Sequence, residues 1–178
     1  MSKFLENNVL QLRAIEPEDL EVLYKWENDT DVWRYGSAIS PYSKYILKQY
    51  IANAQTDIFE SKQLRFMITL FQEQSTIGTI DLYDFDALNS RGGVGIYIDS
   101  EYRKEGYAKQ ALNLLVEYVF SFLKINQLYA LIPKSNKASL HLFQSSGFIN
   151  SGVLQQWISD DNKYEDTIIV QKIKPNEQ

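Results

Sequence analysis

The stretch "EYRKEGYAKQAL", Glu101 to Leu112, runs a charged segment, Arg103-Lys104-Glu105, into Gly106-Tyr107-Ala108, and an apolar helical pattern starts at once. Ala108, Ala111, Leu112, Leu115, Val116, Val119, Phe120 and Leu123 recur at helical spacing and form one broad stripe, which predicts a helix from Gly106 to Leu123. A helix start leaves backbone N–H groups unpaired and carries partial positive charge, so it suits an anion, phosphate above all. Gly106 lets a ligand approach the backbone, and Arg103 and Lys104 add cationic reach. The same residues also read as an ordinary strand-to-helix turn. Neither G-x-x-x-x-G-K-[ST] nor G-x-G-x-x-G occurs in the chain.

Working outward, Val9 to Ile15 alternates as a strand does, and "EPEDLEVLYKWEND" (16–29) opens with Pro17 and acidic residues, as a helix start prefers. A second helix is predicted over 42–54. "QLRFMITLF" (63–71) and "TIGTIDLYDFD" (76–86) read as a hairpin joined by "QEQS". "GGVGIYID" (92–99) is a third strand whose glycines suggest a bulge or close approach by another backbone. After the long helix come a strand (127–133), a short helix (136–146) that Gly147 stops, and a tail of strand, Asp-rich turn and strand. The order β-α-α-β-β-β-α-β-α-β-β predicts one α/β domain, residues 1–178, around a mixed sheet.

Composition narrows the function. A net charge of −5 and a pI near 5.0 argue against a general nucleic-acid binder and permit a cationic substrate. There is no cysteine, hence no disulfide, thiolate metal site or acyl-cysteine route. The one histidine, His141, is expected at a solvated surface, which disfavours a histidine-rich metal centre or a Ser-His-Asp triad, and no metal is expected. No signal-like or membrane-spanning run is read, so a cytoplasmic protein is expected.

Three segments in order then resemble one family. Arg103 to Ala108 matches Q/R-x-x-G-x-G/A, "NKASLHLFQSSGF" (136–148) is similar to N-x-x-[AS]…GF, and "LRAIEPEDLEVLYKWENDTDVWRY" (12–35) resembles the opening of one subgroup. The chain resembles the GNAT N-acetyltransferases, in the subgroup of ribosomal-protein and spermidine/spermine N-acetyltransferases, over roughly residues 8–172. The resemblance implies an α+β fold: a mixed, mostly antiparallel seven-stranded sheet with a V-shaped splay, flanked by about four helices. It implies acetyl-CoA as cosubstrate, with its pantetheine arm along Ile96, Tyr97 and Ile98. Its pyrophosphate would lie on N–H groups of the Arg103, Lys104, Glu105, Gly106, Tyr107 and Ala108 corner, and Asn136, Ser139 and Phe143 would adjoin the cofactor.

On the acceptor side, the resemblance implies that Glu27, Asp29, Asp31, Trp33 and Tyr35 flank the incoming amine. A solvated acidic loop and ordinary aromatic packing are the plain alternatives. Asp81 falls where the subgroup keeps a carboxylate that helps take the amine proton, with Asp84 expected on the opposite strand face; a plain polar strand residue is the alternative. Many relatives carry a tyrosine where Phe143 stands, so Ser139 is weighed as hydrogen-bond partner of the departing sulfur, against a helix serine bonding its own backbone, and the change tilts the reading away from polyamines. An N-acetyltransferase acting on a primary amine leads. A non-catalytic acyl-CoA sensor and an unrelated nucleotide-phosphate binder are the rivals. The tail hairpin reads as a charged turn, and family use of that region leaves a homo-oligomer open.

Overall fold

The computed structural model describes residues 4–33, 40–160 and 163–175. Seven strands make one sheet: β1 (Leu10–Arg13), β2 (Leu64–Leu70), β3 (Thr76–Asp86), β4 (Arg91–Ile98), β5 (Gln127–Pro133), β6 (Ile149–Asp160) and β7 (Lys163–Ile173). Their spatial order is β1-β2-β3-β4-β5-β7-β6. Every neighbouring pair is antiparallel except β4 with β5. A parallel pair needs a crossover, and the long predicted helix supplies it. The expected mixed, mostly antiparallel seven-stranded sheet is what the chain forms.

Four helices of two turns or more flank it: α1 (Leu20–Glu27), α3 (Lys44–Ala52), α5 (Tyr107–Glu117) and α6 (Lys137–Ser145), with single turns α2 (Thr30–Trp33) and α4 (Ile58–Ser61). The apolar stripe read through Leu123 continues, but Tyr118–Phe122 winds as a π turn in which the Leu123 N–H donates to the Tyr118 carbonyl. Tyr118 and Phe122 stack there with ring centroids 5.3 Å apart.

Strand alternation sends two sets of side chains to two faces. Leu12, Phe66, Ile68, Ile80, Leu82 and Val94 meet Ala111, Leu112, Leu115 and Val119 of α5 in the larger core. Met67 faces the other way and packs with Ile15, Leu23 and Trp26 beneath α1 and α3.

β4 and β5 pair only at Arg91–Gln127, Gly92–Leu128 and Gly93–Tyr129. Beyond Gly93, β4 stays with β3 as far as Ile98, while β5 stays with β7 as far as Pro133. The sheet therefore opens as a V. The tip of the β4 arm is anchored by Asp99, which is buried and accepts from Trp26 Nε1 at 2.7 Å and Lys25 Nζ at 2.9 Å. Its own N–H donates to the Ile77 carbonyl. Burial alone would raise the Asp99 carboxyl, but the hydrogen bonds from Trp26 and Lys25 outweigh it and hold the pKa at about 2.

This anchor ties α1 to β4. Because its folded pKa lies below the unfolded value, Asp99 contributes stability fully above pH ~4. That contribution is lost as pH falls through about 2. Asp99→Ala, which orphans a buried indole N–H, should lower the unfolding free energy by about 1–3 kcal/mol at pH 7. Urea denaturation checks this, and the deficit should narrow as the pH is lowered.

Candidate active site

The opening of the V begins with backbone. Asp99 and Ile77 form a hydrogen-bonded pair, so antiparallel alternation turns the N–H and C=O of Tyr97, Gly95 and Gly93 toward β3. The backbone groups of Ile96 and Ile98 face the opening instead. Arg103 Nε already donates to the Ile98 carbonyl at 2.8 Å. Of the three residues expected along the cofactor arm, Ile96 thus offers both backbone groups, Ile98 offers its N–H, and Tyr97 offers no backbone, because the ladder with β3 takes it. The Tyr97 ring instead lies beside Trp26, at 5.3 Å between centroids, with the Arg103 guanidinium 5.7 Å from its centre.

The open end of the V is the Gly106 corner. Lys104 at φ 70° and Gly106 at φ 80° both adopt the left-handed conformation, which turns the chain sharply into α5. No side chain caps α5, and nothing lies within 4 Å of where a Gly106 Cβ would sit. Arg103, Lys104 and Glu105 are exposed, whereas Tyr107 and Ala108 are half-buried against the larger core. The α5 amides therefore face an open corner lined by cations. Arg103 differs from expectation: its side chain folds back onto β4.

The α1/α3 face holds a half-buried charge cluster. Arg65 and Asp81 are cross-strand partners on β2 and β3. Arg65 donates to Asp81 from Nε at 2.6 Å and Nη2 at 3.2 Å, and from Nη1 to Glu27 at 2.7 Å. Gln63 adds a fourth contact, to Asp81 Oδ1 at 3.3 Å. The guanidinium also lies 5.4 Å from the Tyr50 ring centre. Burial alone would lower the Arg65 pKa, but Asp81, Tyr50 and Glu27 raise it above the ordinary arginine value. Burial pushes the Tyr50 phenol up to about 12, against the opposing pull of Arg65. One cation thus serves two carboxylates, and the cluster keeps one net negative charge.

The other expected site residues are placed as follows. Asp29 lies near enough to Tyr97 to help raise its pKa. Trp33 Nε1 donates to the Glu27 carbonyl at 2.7 Å, which fixes the end of α1. The Asp31 side chain and all of Tyr35 lie outside the described residues. Asp84 was expected on the face opposite Asp81. It instead takes φ 48° where the β3–β4 register slips, and its carboxylate interacts with Tyr129 on the same face as Tyr83. Asn136 caps α6 by accepting from the Ser139 N–H at 3.0 Å, and Ser139 is half-buried in that first turn. Phe143 is fully buried, edge-on to Phe148 at 5.0 Å, as a core residue. His141 is exposed.

The glycines of β4 answer to side chains rather than to another backbone. A Cβ on Gly93 would collide with the Tyr83 ring, and one on Gly92 with Leu82. Two residues of this site had gone unread. Arg65 was visible as a lone cation in the apolar run "LRFMITL", a pattern that asks for a buried partner. Tyr83 had no signal of its own, since only the structure shows which glycines it covers.

A family model described as an acetyltransferase (GNAT) domain matches residues 10–149. The chain belongs to the GNAT family of acetyltransferases. It is accordingly an N-acetyltransferase, with acetyl-CoA as cosubstrate. The spermidine N(1)-acetyltransferase of Escherichia coli K12 is 26% identical over 159 residues, covering 89% of this chain and 83% of that protein. An uncharacterized N-acetyltransferase of Bacillus subtilis, YoaA, is 28% identical over 180 residues, 99% of this chain and 100% of the relative. The crystal structure of Vibrio cholerae spermidine N-acetyltransferase in complex with CoA and spermine superposes with a TM-score of 0.84 at 24% identity, covering 94% and 97% of the two chains.

Removing one partner from a half-buried charge cluster strands the others. Arg65→Gln should cost about 1–3 kcal/mol of stability at pH 7, the range for leaving a hydrogen-bonded group without its partner. Guanidinium denaturation at that pH checks this.

Proposed function

We propose that this enzyme acetylates a primary amine of the polyamine class by direct attack on acetyl-CoA in a ternary complex. The observation that carries the acceptor side is the Glu27–Arg65–Asp81 cluster, whose residual negative charge lies on the face opposite α5. An alkylammonium is attracted to such a site. The Escherichia coli and Vibrio cholerae relatives are spermidine N-acetyltransferases, and this outweighs the tilt away from polyamines drawn from Phe143.

The residues suit the cofactor. In this reading the N–H groups from Lys104 to Ala108 hold the pyrophosphate, and Gly106 leaves the room for it. Ile96 pairs with the pantetheine arm, and an amide of the splayed strand faces the developing oxyanion. Bound there, the cosubstrate supplies an activated acetyl group. The chain supplies position, a hydrogen-bond donor and a place for the amine's proton.

That proton is the chemical difficulty, since an amine of pKa ~10.4 is only about one part in a thousand neutral at pH 7. Asp81 assists its loss. With Arg65 and Gln63 already donating to it, Asp81 acts through water or by orienting the amine as much as by direct uptake. The absence of cysteine leaves no acyl-cysteine intermediate.

Two measurements test the reading. Gly106→Val should weaken acetyl-CoA binding by about 10–100-fold in calorimetry, the equivalent of one or two charge-assisted hydrogen bonds. Gly106→Asn, which tolerates a left-handed φ, controls for backbone strain. In a thiol-release assay across an amine panel, spermidine or spermine should outpace N-terminal peptides, and Asp81→Asn should slow turnover by roughly 100-fold with acetyl-CoA affinity unchanged. A preference for peptides would overturn the polyamine assignment.

A further inference from the structure

Tyr83 occupies the closed end of the V. Its ring lies over β4 at Gly93, where a Cβ would collide with it, and at Gly95, where a Cβ would only touch it at 3.8 Å. Gly93 belongs to the last pair before β4 and β5 part. The ring therefore crosses the splay at its vertex. Its phenol lies near enough to the Leu131 amide, in β5 beyond that last pair, for that amide to act on its pKa, and its ring meets Tyr129 edge-on at 6.0 Å between centroids. By the β5–β7 alternation, in which Lys134 N–H bonds the Asp166 carbonyl, the backbone of Leu131 faces the opening.

The usual position for a proton-bearing side chain on α6 is here filled by Phe143, which is buried and has no hydroxyl. An acyl donor held at Gly106 and laid beside β4 brings its reacting end toward the start of the strand, where Tyr83 sits. Resting on the acetyltransferase reading above, we infer that the Tyr83 hydroxyl is the hydrogen-bond donor to the departing CoA sulfur.

The chemistry balances without full proton transfer. The amine nitrogen bonds to the acetyl carbon, the C–S bond breaks, its electron pair goes to sulfur, and the amine's proton leaves to solvent. Burial, with Tyr129 and Asp84 adding to it, pushes the Tyr83 phenol up to about 12. A thiol ionises near 8.5. The phenol is the weaker acid of the two, so it keeps its proton and stabilises the thiolate by donating to it. Asp84 and Asp81 are the carboxylates that bear on this phenol, and both favour its protonated form.

Tyr83→Phe removes the hydroxyl and keeps the ring, so the wedge at the vertex survives. The direct readout needs no amine: the thiolate absorbance of bound CoA, titrated as the difference between CoA-loaded and CoA-free protein. The thiol should ionise more readily on the wild-type protein than free in solution. Tyr83→Phe should reduce that ionisation constant by about tenfold or more, the size of one hydrogen bond to a charged acceptor. The variant should also lose roughly 10–100-fold in kcat with calorimetric acetyl-CoA affinity unchanged. Identical thiol titrations in wild type and variant would overturn the inference, as would a variant that only loses affinity or Tm, the signature of a packing wedge. The effect appearing in Ser139→Ala instead would move the role to that serine. Failure of wild-type protein to bind CoA at all would sink the acetyltransferase reading first, and this inference with it.

Discussion

Only three residue pairs join β4 to β5, and the rest of the molecule is arranged around that short parallel joint. Two strands that part in mid-sheet leave backbone donors and acceptors facing each other across a gap, which is costly unless something fills it. Each arm therefore has a partner on its far side: β3 for β4, and β7 for β5. The α5 crossover starts at the mouth of the gap, so strand edge and helix amides converge on the same space. Asp99 at one tip, with α1 pulled down by Trp26 and Lys25, keeps that arm from relaxing. The cleft is a by-product of sheet topology, made chemically useful by what was placed at its ends.

The α1/α3 face manages charge differently. Burying a guanidinium is unfavourable unless its donors are matched, and Arg65 matches three of them to two carboxylates. The cluster links β2, β3 and the end of α1, so charge and architecture are coupled. A carboxylate held this firmly positions a cation well and is slower to act as a free base.

Much of the fold was legible because periodicity survives without tertiary knowledge. The α5 stripe, the alternation of β2 and β3, and the stop at Gly147 are all local. The Gly106 corner was legible too, since left-handed glycine before a helix leaves a mark in the sequence. What stayed hidden depended on register. Whether Tyr97 or Ile96 turns its backbone to the opening is a matter of a single residue of pairing, and only the Asp99–Ile77 bond decides it. The side on which Asp84 lies follows from a left-handed residue that composition does not announce. Phe143 read as a cofactor contact by analogy with a tyrosine, whereas its ring is packed into the core against Phe148. Arg65 was readable in principle, but its partners lie 16 and 38 residues away.

The break in the ladder also coincides with chain order. β1 to β4 and α1 to α5 come first, and β5 to β7 with α6 follow after the turn near Lys124. Each block is a contiguous stretch of sequence with its own continuous run of antiparallel pairing. During synthesis the first block can assemble its strands before the second has been made. A chain divided at the 124–126 turn would yield two pieces, each holding one wall of the cleft, and reassembly would restore the vertex from both: Gly93 and Tyr83 from one fragment, Tyr129 and Leu131 from the other.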